Sequence, residues 1–533
     1  MSHLRCGWSR LHRLFLACAG ALATAFAILV ACASAVTLAD DAANISSDRA
    51  ADLATVSQID ELLATRWTKD GIRPAPLADD AEFLRRAYLD LTGVIPSVCE
   101  ARAFLEDTST DRRGALVERL IASPAFATRL ADLWRDMMLP RKFDPAETAG
   151  LIGVQNWLRR QFADNRRYDR IVADLLVASG GGESGPALFY TALDLKPEEL
   201  GTTTARLFLG VRLDCAQCHN HPFDHWTQQD FWGYAAFFAR LQRRGNNPNN
   251  ARLADVEFGE VRLPDSDAVV GPRYPGGADV DRRELGTRRE QLAIWTVSGD
   301  NPYLARATVN LVWAQLFGRG LVEPVDDMGD HNPPSHPEVM QALCESFMAS
   351  GYDLRRLYRV LTNLRAYQLG SQSSGSADPP EEAFAQMAIK TLSAEQLYDS
   401  LARVALRAPD SGQDRLADPP RTAFLVKMQS QARPATQFDR GVPQALTLMN
   451  GEEMTALADA NASNLLKALD VPFWDDAARL EAAFLATLAR LPSDEERSRF
   501  LEYLAARPAD QRSGALGDIV WALVNSAEFT LNH

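Results

Sequence analysis

The sequence predicts a mainly α protein, built as two helical domains with a small β or irregular insertion between them. Three observations lead there. Apolar residues recur at helical spacing through most of residues 57–242 and 284–533. Strand-like alternation is confined to residues 243–283, a stretch rich in Gly, Pro, Asn and Asp. The length, 533 residues, is more than one ordinary core accommodates. With 46% hydrophobic and 24% charged residues the composition is globular, which excludes disorder as the dominant state.

Residues 1–35 read as an export signal. Arg5, Arg10 and Arg13 precede an uncharged run from Leu14 to Leu38 that ends in small residues. Two cleavage patterns compete. Ala33-Ser34-Ala35 fits ordinary small-x-small cleavage, whereas Leu29-Val30-Ala31-Cys32 resembles a lipobox that would leave Cys32 lipidated. An uncleaved anchor is the third reading, because the run is long enough to span a bilayer. Each reading exports the body to the periplasm or cell envelope, with the membrane engaged only through the N-terminal anchor. The net charge is -14, and it falls to -17 once the three Arg of the signal are set aside. That acidic balance excludes nucleic acid as the main partner.

Residues 36–56 are small and polar, as in a tether. In residues 57–242, Ile59, Leu62, Leu63 and Trp67 begin the helical pattern, and Phe83, Leu84, Ala87, Tyr88 and Leu91 share one face of a helix over 79–92. Further helices are predicted at 97–106, 110–122, 126–138, 148–163, 167–178, 197–214 and 228–240. The Gly-rich run 179–186 lacks the Lys of a phosphate loop. In residues 284–533, helices are predicted at 284–298, 302–318, 336–350, 353–363, 379–388, 393–406, 441–449, 451–468, 473–490, 493–506 and 512–527.

The chemistry concentrates in Cys215-Ala216-Gln217-Cys218-His219-Asn220-His221-Pro222-Phe223-Asp224-His225-Trp226. C-x-x-C-H is the c-type haem attachment pattern: two thiols reach the two vinyl groups and the next residue offers an imidazole to the iron. Cys215 and Cys218 would then be the thioether anchors and His219 the proximal ligand. Candidates for the distal ligand are His331, His336, Met328 and Met449. A second reading takes Cys215, Cys218, His221 and His225 as a tetrahedral zinc set, with Asp224 orienting a ligand imidazole. A third is a Cys215–Cys218 disulfide beside hydrogen-bonded histidines.

The segment RLFLG and the CAQCHNHPFDHWTQQDFWGYAAFF run resemble the planctomycete-specific cytochrome-like domain, as does FLRRAYLDLTGVIP at 83–96. DNPYLARATVNLVWAQLFGRGLVEPVDDMGDHNPPSHPE at 300–338, with SAEQLYDS, VPQALTLMNG and IVWALVNSAEF further on, resembles the planctomycete-specific domain that follows it. The resemblance spans residues 57–533. It implies an exported protein built from two domains without an established function. With no second C-x-x-C-H, a haem count would be one.

Other residues have local explanations. Asp326 and Asp327 could form a carboxylate pair, but Arg–Asp pairing that locks the Gly318-Arg319-Gly320 turn accounts for them better, with Arg306, Asn310 and Trp313 on the preceding helix. Ser335 is expected to cap the helix starting near His336. Phe231, Trp232, Tyr234, Phe237 and Phe238 have the spacing of core residues. Cys99 and Cys344 are expected to be buried.

Three functions therefore remain open. The first is a single-haem electron carrier working with an envelope redox partner. The second is an enzyme or accessory for extracellular polymer breakdown, with a structural metal or disulfide at 215–225. The third is a non-catalytic scaffold. No catalytic residue is assigned.

Overall fold

The computed structural model describes residues 48–533, apart from 140–144, 182–184, 223, 245–251, 265, 278–285, 373–377, 408–414, 417, 429–446, 450 and 509–510; the signal, Cys32 and most of the predicted 441–449 helix lie outside it. Packing divides the chain into two units, Met1–Ser57 and Gln58–His533. In the first, the described residues are helical. The second is mainly α with a few short strands. Among the described residues no helix is long and apolar enough to cross a membrane.

The Asp80–Thr92 helix organises the larger unit. Asp79 caps its first turn, and Gly93 ends it in the left-handed region at φ +76°. Its Phe83–Leu91 stretch is buried throughout, including two arginines. Buried guanidiniums must spend their donors. Arg85 gives its hydrogen bonds to the carbonyls of Thr487 and Phe529, and Arg86 to those of Tyr367 and Leu369. The helix thus holds segments some 280–440 residues away. Its Leu89, with Ile95 beyond it, joins a core supplied by helices Ala394–Val404, Asp476–Leu488 and Arg512–Val524. A short strand pair, Lys390–Thr391 with Leu531–Asn532, closes the C-terminal end against it.

The insertion does contain strands. Leu241–Arg244 pairs antiparallel with Arg252–Asp255, whose other edge takes Gly180–Gly181. Val261–Arg262 pairs with Val269–Val270. Buried Arg289, on the Arg288–Thr296 helix, grips the three-stranded sheet through Asp255 at 2.6 Å and donates to the carbonyls of Leu176 and Ala178.

Several element boundaries differ from the sequence expectation, each for a local reason. The 228–240 helix stops at Ala235, because the chain turns into the sheet at Leu241. The expected 379–388 helix is a single 3₁₀ turn, Glu381–Ala383: Pro379 and Pro380 precede it, and Phe384 leaves at φ +50°. The expected 451–468 helix is two, Glu452–Ala458 and Asn464–Leu469, the second capped by Ser463.

Candidate functional site

The C-x-x-C-H run follows the Pro197–Thr204 helix, which was expected to continue to residue 214. Instead its last turn widens into a π turn, Ala205–Leu209, and ends at Gly210 with φ +67°. The left-handed backbone favours glycine there, and a Cβ at Gly210 would lie 3.1 Å from the Met328 sulfur, a tight contact above it. A 3₁₀ turn, Leu213–Ala216, comes next. Leu213 and Ala216 are buried while Cys215 is exposed.

The rest of the loop is clipped to the helix that follows. Thr227 and Asp230 form a capping box at the start of Gln228–Ala235. From that helix, Gln228 Nε2 donates to the carbonyls of Gln217 (3.2 Å) and Cys218 (3.1 Å), and Trp232 Nε1 donates to Gln217 (3.1 Å). The Gln228 N–H reaches Asn220 Oδ1 at 3.0 Å, and the His221 N–H reaches the Trp226 carbonyl at 2.8 Å.

Within this frame Cys215 and Cys218 are free thiols, and both are exposed. Burial and the Asp214 carboxylate push the Cys215 thiol above its usual range, against the pull of Arg212. His219 is exposed, and its Nδ1 lies 2.8 Å from the Asn220 carbonyl. A carbonyl only accepts, so Nδ1 carries a proton, and in the neutral ring Nε2 is the nitrogen that presents its lone pair. That is the form in which an imidazole ligates a metal. The thiols and the imidazole thus have the chemistry that haem attachment needs.

The zinc set is a different matter. Among the described residues no group of three or more His, Cys, Asp or Glu side chains is arranged to hold a metal ion. His221 and His225 engage other partners: the His221 ring lies 5.8 Å from that of His331, and His225 Nδ1 lies 2.7 Å from Asp224.

Of the four distal candidates, His331 alone meets the loop by its side chain. Its Nδ1 lies 3.1 Å from Asp224 Oδ2. The Met328 N–H donates to the Gly210 carbonyl at 2.8 Å, and its side chain packs on that glycine. His336 is buried against Phe384, and Met449 is exposed with its carbonyl accepting from Trp521.

The Asp326–Asp327 pair divides. Asp326 accepts from Arg212 at 2.7 and 2.9 Å and lies 3.8 Å from Arg206, which also binds Asp214 at 2.6 Å. Asp327 faces His331 Nε2 at 3.5 Å. The arginines that hold Asp326 therefore come from the C-x-x-C-H region, whereas Arg319 faces Glu381 and Glu382. Asn310 fixes the turn, binding Val322 through both its N–H and its carbonyl.

Two smaller expectations also change, and two hold. Ser335 hydrogen-bonds His336 Nδ1 (3.1 Å); His336 itself takes the cap position of the Pro337–Ala349 helix, without a side-chain cap. Cys99 is exposed. Cys344 is buried as expected, its thiol pushed up to about 12 by burial. The aromatics Phe231, Tyr234, Phe237 and Phe238 are core residues.

The sequence reading missed the Asp224–His331 and Arg212–Asp326 contacts, which lie 107 and 114 residues apart in sequence. The available signal was a density of His and Asp in both segments.

Two family models match the chain, one after the other. Residues 58–243 match PSCyt2, a protein of unknown function (DUF1549), and residues 288–433 match PSD1, a protein of unknown function (DUF1553). Neither a curated protein nor a solved structure matches the chain.

Proposed function

Since the chain carries a PSCyt2-family domain followed by a PSD1-family domain, both of unknown function, we propose a function from the site itself: an exported cell-envelope protein that binds one c-type haem covalently and passes electrons. The observation that carries this reading is the pairing of two exposed, unbridged thiols with an imidazole whose Nε2 is left free by the Asn220 carbonyl. Cys215 and Cys218 are the anchors and His219 is the iron ligand. Haem, when bound, supplies one-electron chemistry whose potential depends on axial ligation and solvent exposure.

The chain's own residues have defined tasks. Gln228 and Trp232 hold the carbonyls between the two thiols, which fixes the spacing of the anchors. Asn220 holds the His219 tautomer. The site is on the surface, where a redox partner in the envelope reaches it. The signal in residues 1–35, with Cys32 as the lipid anchor, keeps the body outside the cytoplasm and tethered.

Mass spectrometry of the protein purified from its own envelope tests the reading. The peptide spanning residues 213–227 is expected to carry one haem, and Cys215→Ser with Cys218→Ser is expected to abolish it. An unmodified peptide from the native protein overturns the proposal, and zinc found in its place would support the structural-metal alternative.

A further inference from the structure

The C-x-x-C-H loop belongs to the PSCyt2-family domain, yet the structure ties it at both ends to residues 326–331 of the PSD1-family domain. Ahead of the thiols, Arg212 and Arg206 meet Asp326, and Arg206 also holds Asp214 beside Cys215. Behind them stands Asp224, whose side chain is only 3% exposed. A carboxylate so little exposed is stabilised by donors on both oxygens. Its Oδ1 takes the His225 N–H and His225 Nδ1, both at 2.7 Å. Among the described residues, Oδ2 takes only His331 Nδ1, at 3.1 Å.

The fit around that oxygen is close. A Cβ at Gly329 would fall 2.2 Å from Asp224 Oδ2 and 2.7 Å from His331 Nδ1. A side chain at 329 would push Asp224 or His331 aside, so the 326–331 segment passes close beside the carboxylate. Asn332 shapes the segment, donating to the carbonyls of Glu323 and Asp327.

We propose that His331 is a positioning residue for the C-x-x-C-H loop, acting through Asp224, and that the PSD1-family domain thereby completes the site of the PSCyt2-family domain. Without His331 the loop's buried carboxylate keeps one unsatisfied oxygen, and the loop relieves this by opening toward water. The two families are then parts of one site. The inference concerns the loop's geometry and holds whatever the thiols carry, so it stands apart from the haem reading.

Hydrogen exchange of the full chain, read by mass spectrometry, tests it. His331→Ala is expected to speed exchange of the amides at 213–227 by about tenfold or more, the loss of one hydrogen bond to a charged group. Exchange in the Leu354–Asn363 and Asp476–Leu488 helices should stay as in the wild type. His331→Gln, which keeps an N–H donor, should restore most of the protection; a merely space-filling role for His331 would predict no difference between the two variants. Gly329→Ala gives a second approach, crowding the same Asp224 oxygen, and should loosen the same amides. Wild-type exchange at 213–227 in His331→Ala or in Gly329→Ala overturns the proposal, as does acceleration spread evenly over the chain. Haem content is measured on the same samples. Absent haem with a loosened loop refutes the haem reading alone.

Discussion

Replacing Lys390 with Met should destabilise the protein by about 3–5 kcal/mol, the cost of removing one partner from a buried ion pair. Lys390 and Asp90 have side chains 6% and 4% exposed and meet at 2.8 Å. Burial pulls the Lys390 ammonium down from its usual range, and Asp90 offsets part of that. The ammonium spends its other donors on the carbonyls of Gln315 (3.2 Å) and Leu316 (2.6 Å), in the last turn of the Tyr303–Phe317 helix. Asp90 also accepts from Asn532 at 2.8 Å and Tyr367 at 3.0 Å. Met fills the stem but leaves a buried carboxylate with two neutral donors and two carbonyls without their partner. Urea unfolding followed by tryptophan fluorescence measures the loss. Adding Asp90→Asn to Lys390→Met should cost less than the two single changes together, by roughly 1–3 kcal/mol, because the pair is coupled. A Lys390→Met protein within about 1 kcal/mol of the wild type, or a strictly additive double variant, would refute the reasoning that this network carries the fold.

Other predictions follow from single contacts. The Glu496 carboxyl is held down to about 2, first by hydrogen bonds from Arg490, against burial. Its contribution is therefore complete above pH 4.5, its ordinary value, and lost as pH falls toward 2. Stability–pH curves of Glu496→Gln and the wild type should converge near the acid end and separate above it, by about 1 kcal/mol or less because the group is a third exposed. A thiol reagent should label Cys99 in the native protein and spare Cys344 until unfolding, since one is exposed and the other buried with its thiol at about 12; equal labelling contradicts this. Asp326→Asn weakens a partly exposed pair and should change global stability by no more than about 1 kcal/mol, while loosening amides 210–216 in hydrogen exchange. Unchanged exchange there would show that Asp326 does not brace the loop.

What the sequence made legible was local. The helix starts near 97, 228, 393 and 493 were readable from apolar spacing, and the structure places a capping box at each: Ser97 with Glu100, Thr227 with Asp230, Ser393 with Gln396 and Ser493 with Glu496. The thiols and His219 were readable because they lie within five residues, a spacing that is itself the chemistry. The brace was not readable, because Asp224 and His331 are 107 residues apart and nothing local distinguishes their pairing from a solvated turn. Asp326 shows the same limit. Its nearest arginine in sequence is Arg319, but the chain brings Arg212 to it instead. The 379–388 stretch erred the other way: its apolar spacing is helical, yet two prolines at its start and Phe384 packed on Trp313 leave only one turn.

The most direct measurement is the visible spectrum of the protein purified from its own envelope, taken before and after denaturing extraction of free haem, with the wild type beside Cys218→Ser. The account predicts one haem per wild-type chain that survives extraction and is lost from the variant. A wild-type chain without a Soret band, its Cys215 and Cys218 found joined to each other or bound to zinc, would contradict it.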